Sequence, residues 1–242
     1  SFTDMPYVSN REEWYTYLED ESPEFDFFVG GFQGYNSVQE FLLIEEFIEE
    51  IDPEIIIWQF HKSDIRNNYP EFARKYYPYV ANLKLPFLEE GKIKYKYNVR
   101  FGKLRDTSYI FRLFQNLHQK YKLEVNPTYK YFRVESLLVN GKNESFERAK
   151  NTTLEIFEKY SNLTKNISVF LFSPGSTHPE LINFEKQICI QNNFTYIGGL
   201  TQFLDSQNET ITISDNTHWN KLGNRLAGKF LAHELKKFEE FN

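Results

Sequence analysis

Short apolar runs alternate along this chain with stretches whose apolar residues repeat at helical spacing. Residues 54–60 hold three consecutive isoleucines and a tryptophan, and residues 167–172 form a second such run. Near-continuous apolar runs are typical of parallel strands that are covered on both faces. Strands that alternate with helices predict a parallel sheet with helices on both sides. The sequence therefore predicts an α/β fold of the three-layer, doubly wound, flavodoxin-like type.

The predicted elements follow this alternation in order. We expect strands at residues 25–29, 54–60, 167–172 and 194–197, and helices at 37–51, about 145–160, 179–191 and about 219–238. Ser37 and Glu40 predict a capping box for the first of these helices, and Pro53 predicts its end. His178 is expected to cap the helix that follows it, although its position after a strand also permits contact with a substrate. Ligands of such sheets bind beyond the carboxyl ends of the strands, so a site is expected there.

Between about residues 69 and 141 the alternation gives way to aromatic, basic and proline-containing sequence. Within this segment, residues 92–101 alternate lysine with Ile93, Tyr95 and Tyr97, which predicts an exposed strand pair. We interpret residues 1–242 as a single domain, in which this aromatic-rich segment is an insertion that covers or frames the site. Interleaved basic and aromatic residues also occur in nucleic-acid-binding proteins, which is the alternative for this segment.

Composition narrows the classes of function. The net charge of -6 does not indicate a nucleic-acid partner or a polybasic membrane patch. No apolar run approaches the roughly 18 residues that span a bilayer, so no transmembrane segment is expected. The single cysteine, Cys189, lies between two isoleucines, which predicts a buried, inert thiol. No group of side chains has the spacing of metal ligands, so neither a metal nor another cofactor is expected.

The strongest local signal of chemistry is the segment 214–220, between the last predicted strand and the last helix. It holds Asp215 and His218 three residues apart. A carboxylate at this spacing can hold one imidazole nitrogen so that the other accepts a proton. The alternative is an ordinary helix start, in which Asp215 or Thr217 caps the helix and His218 is incidental. Taken alone, the segment favours the helix start slightly.

Three further segments precede that pair in a definite order. They are Ser1-Phe2-Thr3, the segment from Gly31 to Glu40 after the first predicted strand, and the segment from Phe60 to Arg66 after the second. Together with Asp215-x-x-His218, these segments resemble the four sequence blocks of the SGNH (GDSL-like) hydrolase family in order and approximate spacing. The resemblance covers essentially the whole chain outside the insertion, and it implies the same α/β fold.

The resemblance also implies roles for the matching residues. Ser1 matches the nucleophile, and Asp215 and His218 match the acid and base of the family. His218 would deprotonate Ser1, and Asp215 would stabilise the imidazolium. Ser1, Gly34 and Ser63 match the positions that form the oxyanion hole. The implied activity is hydrolysis of carboxylic esters, such as acyl or O-acetyl esters of a carbohydrate or lipid, through an acyl-serine intermediate. The implied partner is thus a small-molecule or carbohydrate ester.

Two departures from the family pattern leave alternatives open. Ser63-Asp64 stands where the family carries Asn-Asp, and losing one oxyanion donor typically costs about 10²- to 10³-fold in rate. Either Ser63 or a neighbour such as His61 or Lys62 compensates, or the enzyme is slow, or the domain only binds ligands. The strand before the serine block is also missing, so we expect residues upstream of Ser1 or another segment to supply it. An acyltransferase and a non-catalytic binding domain are the alternative functions.

Overall fold

The computed structural model describes most of the chain and groups it into two units. The described residues are 8–9, 11–32, 34–76, 84–97, 104, 107–125, 144–175, 178–214 and 218–239. The first unit comprises residues 1–35, 42–61 and 161–242, and the second comprises residues 36–41 and 62–160. In chain order the helices and strands are α1 (Trp14–Glu21), α2 (Ser37–Ile51), β1 (Ile55–Gln59), α3 (Lys62–Asn67), α4 (Pro70–Tyr76), β2 (Lys84–Glu89), β3 (Lys92–Tyr97), α5 (Tyr109–Val125), α6 (Glu144–Leu163), β4 (Ser168–Phe172), α7 (Pro179–Asn192), β5 (Thr195–Ile197), α8 (Leu200–Asp205) and α9 (Lys221–Glu239).

The first unit contains a parallel sheet in the strand order β1-β4-β5. The register places Ile56 opposite Val169 and Phe172 opposite Ile197. The last four residues of β4 are buried, as expected for a central strand that is covered on both faces. The backbone N–H of Phe60 donates to the carbonyl of Phe172 over 2.9 Å, which extends the ladder past β1. The chain is therefore a mixed α/β protein with a small parallel sheet.

The strand predicted at residues 25–29 is wrong. Residues 26–30 form neither helix nor strand, and the side chains of Phe28 and Val29 are 56% and 43% exposed. A strand needs a neighbour for its backbone hydrogen bonds, and no described segment pairs with this run. Phe27 is partly buried and packs against the core of the first unit. The apolar run correctly predicted partial burial of Phe27. It did not form a strand, because a strand also requires a neighbouring strand to pair with.

The helix predicted at residues 37–51 is confirmed, and its cap lies one residue earlier than expected. Asn36 Oδ1 accepts from the backbone N–H of Gln39 over 3.0 Å, and Gln39 Oε1 accepts from the N–H of Asn36 over 3.2 Å. This reciprocal pair is a capping box. The capping box predicted from Ser37 and Glu40 is therefore wrong, because Ser37 is buried and bonds to another partner.

The other predicted elements lie within a few residues of the observed ones. β1, β4, β5, α6, α7 and α9 all match predicted ranges. His178 Nδ1 accepts from the N–H of Glu180 over 3.3 Å, which confirms it as the cap of α7. The strand pair is confirmed as far as Tyr97, because β3 forms an antiparallel hairpin with β2, but the predicted exposure is wrong for β2, in which Leu85, Phe87 and Leu88 are buried. Glu90 and Gly91 turn the hairpin with φ angles of 53° and 70°, as a type I′ turn requires.

Helix α9 approaches α1 closely in the first unit. Asn224 Oδ1 accepts from the N–H of Trp14 over 3.1 Å and thereby caps α1, whose own N-cap residue makes no side-chain cap. A Cβ atom at Gly228 would lie 2.3 Å from the carbonyl oxygen of Trp14, so only glycine allows this approach. The ring of Trp14 in turn meets Phe172 edge-on, with 5.1 Å between centroids. Phe172, the last residue of the central strand, thus packs against the α1–α9 pair.

We expect Gly228→Ala to lower the free energy of unfolding by about 1–3 kcal/mol, because the added methyl group forces α1 and α9 apart. The loss should appear although alanine favours a helix interior over glycine by about 1 kcal/mol. Urea unfolding measures the change. Arg225→Ala, at an exposed position of the same helix, is the control and should change the free energy by no more than about 0.5 kcal/mol. An unfolding midpoint for Gly228→Ala equal to that of the wild type would contradict the packing.

Candidate active site

The segment before α9 forms a loop whose two arms are hydrogen-bonded to each other. The backbone N–H of Ile213 donates to the carbonyl of His218 over 2.9 Å, and the N–H of Asn220 donates to the carbonyl of Ile211 over the same distance. Residues 214–217 connect the two arms. His218 is half-buried and stands at the base of this closed loop. Its backbone position is therefore fixed from both sides of the loop.

Asn220 occupies the N-cap position of α9. Its Oδ1 accepts from the N–H of Gly223 over 3.0 Å. The alternative interpretation gave this capping role to Asp215 or Thr217, and the side chain of Asn220 fulfils it instead. His218 lies two residues before the cap, so the start of the helix does not account for it. The loop at His218 thus has hydrogen bonds of its own and directly precedes α9.

A buried tryptophan anchors the same loop in the core. Trp219 directly follows His218, and Thr212 on the opposite arm pairs with it in an antiparallel bridge. Trp219 belongs to the same buried cluster as Phe172 and Ile197, the last residues of β4 and β5. The base of the loop is therefore held by the part of the core that contains the strand ends. Parallel sheets bind their ligands at this end.

The predicted site residues are distributed over both units. Ser1 and Asp215 lie outside the described residues. Gly34 belongs to the first unit together with His218, and Ser63 belongs to the second unit, where it is half-buried on α3. Gly34 has a φ angle of 81°, which glycine adopts without strain, so its conformation alone accounts for the residue type. The catalytic and oxyanion-hole roles of these residues stay predictions.

Ser173 is a polar residue at the end of the central strand that sequence analysis missed. It directly follows β4, it is buried, and its hydroxyl oxygen has no hydrogen-bond partner among the described residues. Buried polar side chains normally have such a partner. The adjoining backbone is held in place, because the N–H of Gly175 donates to Thr201 Oγ1 over 3.1 Å. The available signal was a serine directly after a buried strand, followed by Pro174 and Gly175.

Asn68, shortly after the segment from Phe60 to Arg66, has a structural role. Asn68 Oδ1 accepts from the N–H of Ser37 over 2.9 Å. Its Nδ2 donates to Ser37 Oγ over 3.2 Å and to Thr153 Oγ1 over 3.1 Å. All three side chains are buried. Because both amide hydrogens of Asn68 have acceptors, this side chain does not replace the oxyanion donor that the family has at the position of Ser63.

Cys189 is buried on α7, as predicted from the sequence. Burial and the nearby charge of Glu185 raise the pKa of its thiol to about 12. Glu185 is itself buried, and its Oε2 accepts from the hydroxyl of Tyr196 over 2.9 Å. Burial and this carboxylate also raise the pKa of the Tyr196 hydroxyl. Since the nucleophilic form of cysteine is the thiolate, Cys189 has no nucleophilic role at neutral pH.

Comparison of the chain with family models, with curated proteins and with solved structures found no match. In the part of the chain that the structure describes, no three His, Cys, Asp or Glu side chains are grouped as metal ligands would be. Among those same residues, no helix combines the length and the apolar character that a bilayer crossing requires.

We expect Asn220→Ala to lower the free energy of unfolding by about 0.5–2 kcal/mol, because it removes the N-cap of α9. Asn220→Ser is the companion variant: it keeps a capping oxygen but removes the amide that donates to the carbonyl of Thr210 over 2.7 Å, so its stability should lie between those of the other two proteins. Chemical denaturation of the three proteins measures the difference. Equal stability of Asn220→Ala and the wild type would show that Asn220 does not hold the loop to the helix.

Proposed function

We propose that the protein is a serine hydrolase of the SGNH class that cleaves carboxylic esters, with a three-layer, doubly wound, flavodoxin-like fold. The observation that carries the proposal is the closed loop at residues 211–220. It presents the histidine of an Asp-x-x-His pair beside Trp219, which lies in the core at the strand ends. An acyl or O-acetyl ester of a carbohydrate or lipid is the proposed substrate.

In the proposed reaction, His218 removes the proton from the hydroxyl of Ser1 while the serine oxygen attacks the ester carbonyl. The tetrahedral intermediate then collapses to an acyl-serine, and the alcohol leaves with the proton from His218. A water molecule attacks the acyl group with His218 again as the base, which releases the acid and restores Ser1. Asp215 orients the imidazole and stabilises its charged form.

The loop contributes to this chemistry by fixing the backbone that carries the base before substrate binds. Hydrogen bonds join its arms, and Trp219 holds one arm in the core. A catalytic group that is already oriented loses little entropy on reaching the reactive geometry, and this lowers the barrier. Gly34 is suited to the oxyanion hole because its left-handed conformation turns a backbone amide in a direction that other residues rarely adopt.

The test is labelling with a fluorophosphonate, followed by mass spectrometry of the peptides. We expect the adduct on Ser1, and His218→Ala should slow its formation by about 10³-fold or more, because the serine then lacks its base. His233→Ala is the matched control, since His233 is exposed on α9. It should label at the wild-type rate.

A folded wild-type protein that takes up no label would contradict the proposal and favour a domain that binds its ligand without cleaving it. An equal labelling rate for His218→Ala and the wild type would also contradict it. Circular dichroism of each variant separates loss of the base from loss of the fold.

Ser63→Asn should raise kcat/KM for a short-chain nitrophenyl ester by about tenfold or more. Asparagine brings an amide donor to the position where the family has one, and such a donor is worth about 10²- to 10³-fold in rate. Ser63→Ala is the companion variant and should lower the rate if the serine hydroxyl donates. Unchanged kinetics in both variants would show that Ser63 is not part of the oxyanion hole. A fluorophosphonate adduct on Ser1 in these variants would still support the hydrolase proposal.

A further inference from the structure

Helix α5 carries an apolar stripe that faces solvent. Its members recur at intervals of three or four residues, and every one is at least half exposed: Tyr109 (78%), Ile110 (67%), Leu113 (50%), Phe114 (66%), Leu117 (55%) and Tyr121 (62%). At about 100° per residue they occupy an arc of about 140° on one side of the helix. Arg112 and His118, which lie outside this arc, are also exposed. We call the six residues the α5 stripe.

The exposure of the α5 stripe is the reverse of what a globular protein does with an amphipathic helix. In α9, for example, the apolar positions Ala227, Leu231 and Leu235 are buried in the core. Single exposed apolar side chains are common, whereas a contiguous exposed patch marks a surface that binds something. The α5 stripe is contiguous along three turns, so it marks a candidate binding surface.

The charge of the surrounding sequence identifies the kind of occupant. Residues 84–125 contain ten Lys or Arg and four Asp or Glu, a net charge of +6, in a chain whose net charge is -6. Glu89 and Glu90 in the hairpin pair with Lys96 and Lys94, so the excess positive charge belongs to the remaining residues of the segment. Helix α5 therefore lies within a basic segment of an acidic chain. A negatively charged surface is complementary to that segment.

We propose that α5 is an interfacial helix that binds the surface of a bilayer containing anionic lipids, with the α5 stripe towards the acyl chains. Helices of this kind combine an apolar side with basic residues elsewhere, and they lie in the plane of the membrane. Tyr109, Phe114 and Tyr121 suit the boundary between headgroups and acyl chains, where aromatic side chains are enriched. Lysines and arginines near the surface add attraction to anionic headgroups.

A second copy of the chain fits the same stripe less well. Two α5 stripes packed against each other would bring two segments of charge +6 together, and like charges across an interface oppose association. A membrane with anionic lipids would bury the apolar side chains of the α5 stripe and attract the positive charge of the segment. The inference is independent of the proposed hydrolase, because it uses none of the residues proposed for catalysis.

The experiment follows insertion with a tryptophan placed in the stripe. Phe114→Trp reports on the environment of α5, whereas Trp14, Trp58 and Trp219 are buried. The protein is mixed with vesicles of phosphatidylcholine alone, and with vesicles that also contain phosphatidylglycerol. We expect a blue shift of the emission and quenching by brominated lipid with the anionic vesicles, weakening as salt is added. The neutral vesicles should give a much smaller change.

Two variants distinguish the contribution of the α5 stripe to vesicle binding from that of the rest of the helix. In the Phe114→Trp background, Leu113→Gln with Leu117→Gln should weaken binding to anionic vesicles by about tenfold or more, because two apolar anchors are lost. His118→Gln, on the same helix but outside the stripe, should bind as before. These positions are exposed, so folding is expected to be retained, and circular dichroism checks it.

Three outcomes would overturn the proposal. The first is a folded protein that binds neither kind of vesicle. The second is binding that both sets of variants retain equally, since the stripe would then have no part in it. The third is self-association, without vesicle binding, that is lost in the double leucine variant, since a second copy would then be the occupant of the α5 stripe. Sedimentation velocity over a range of protein concentrations detects the third outcome.

Discussion

The close packing of α9 is the interaction on which the first unit depends. Gly228 lets α9 approach the backbone of α1, and Asn224 caps α1 from the opposite helix. At the head of the same helix, Asn220 caps the first turn, and its neighbour Trp219 enters the core beside the ends of β4 and β5. One helix thus supports both the sheet and the loop that carries His218. The fold and the proposed chemistry have a common structural basis.

Sequence analysis succeeded where local pattern alone decides the structure. The isoleucine run at residues 55–57 became β1, and the helices after residues 36, 143 and 178 are close to their predicted ranges, because periodicity and caps act over a few residues. It failed where a distant partner decides. Residues 25–29 are apolar except for Asp26, yet no described strand pairs with them. Helix α1 was missed because its cap is Asn224, which lies 210 residues further along the chain.

The candidate site shows the same division. The Asp-x-x-His spacing was visible in the sequence. The hydrogen bonds that close the loop were not, because they join Ile211 and Ile213 to residues on the opposite arm. For Ser173 the sequence offered only a serine directly after a buried strand, because an unsatisfied hydroxyl is a property of burial and not of residue type. The amphipathic pattern of α5 was present in the sequence, while its exposure is a property of the folded chain.

In the proposed reaction, the loop at residues 211–220 brings His218 to a nucleophilic serine at Ser1. A crystal structure of the protein after reaction with a fluorophosphonate would reveal both groups at once. We expect the phosphonyl group on Ser1 Oγ, with an imidazole nitrogen of His218 within hydrogen-bonding distance of that oxygen, about 3 Å. A phosphonyl group on another residue, or a His218 side chain directed away from an adduct on Ser1, would contradict it.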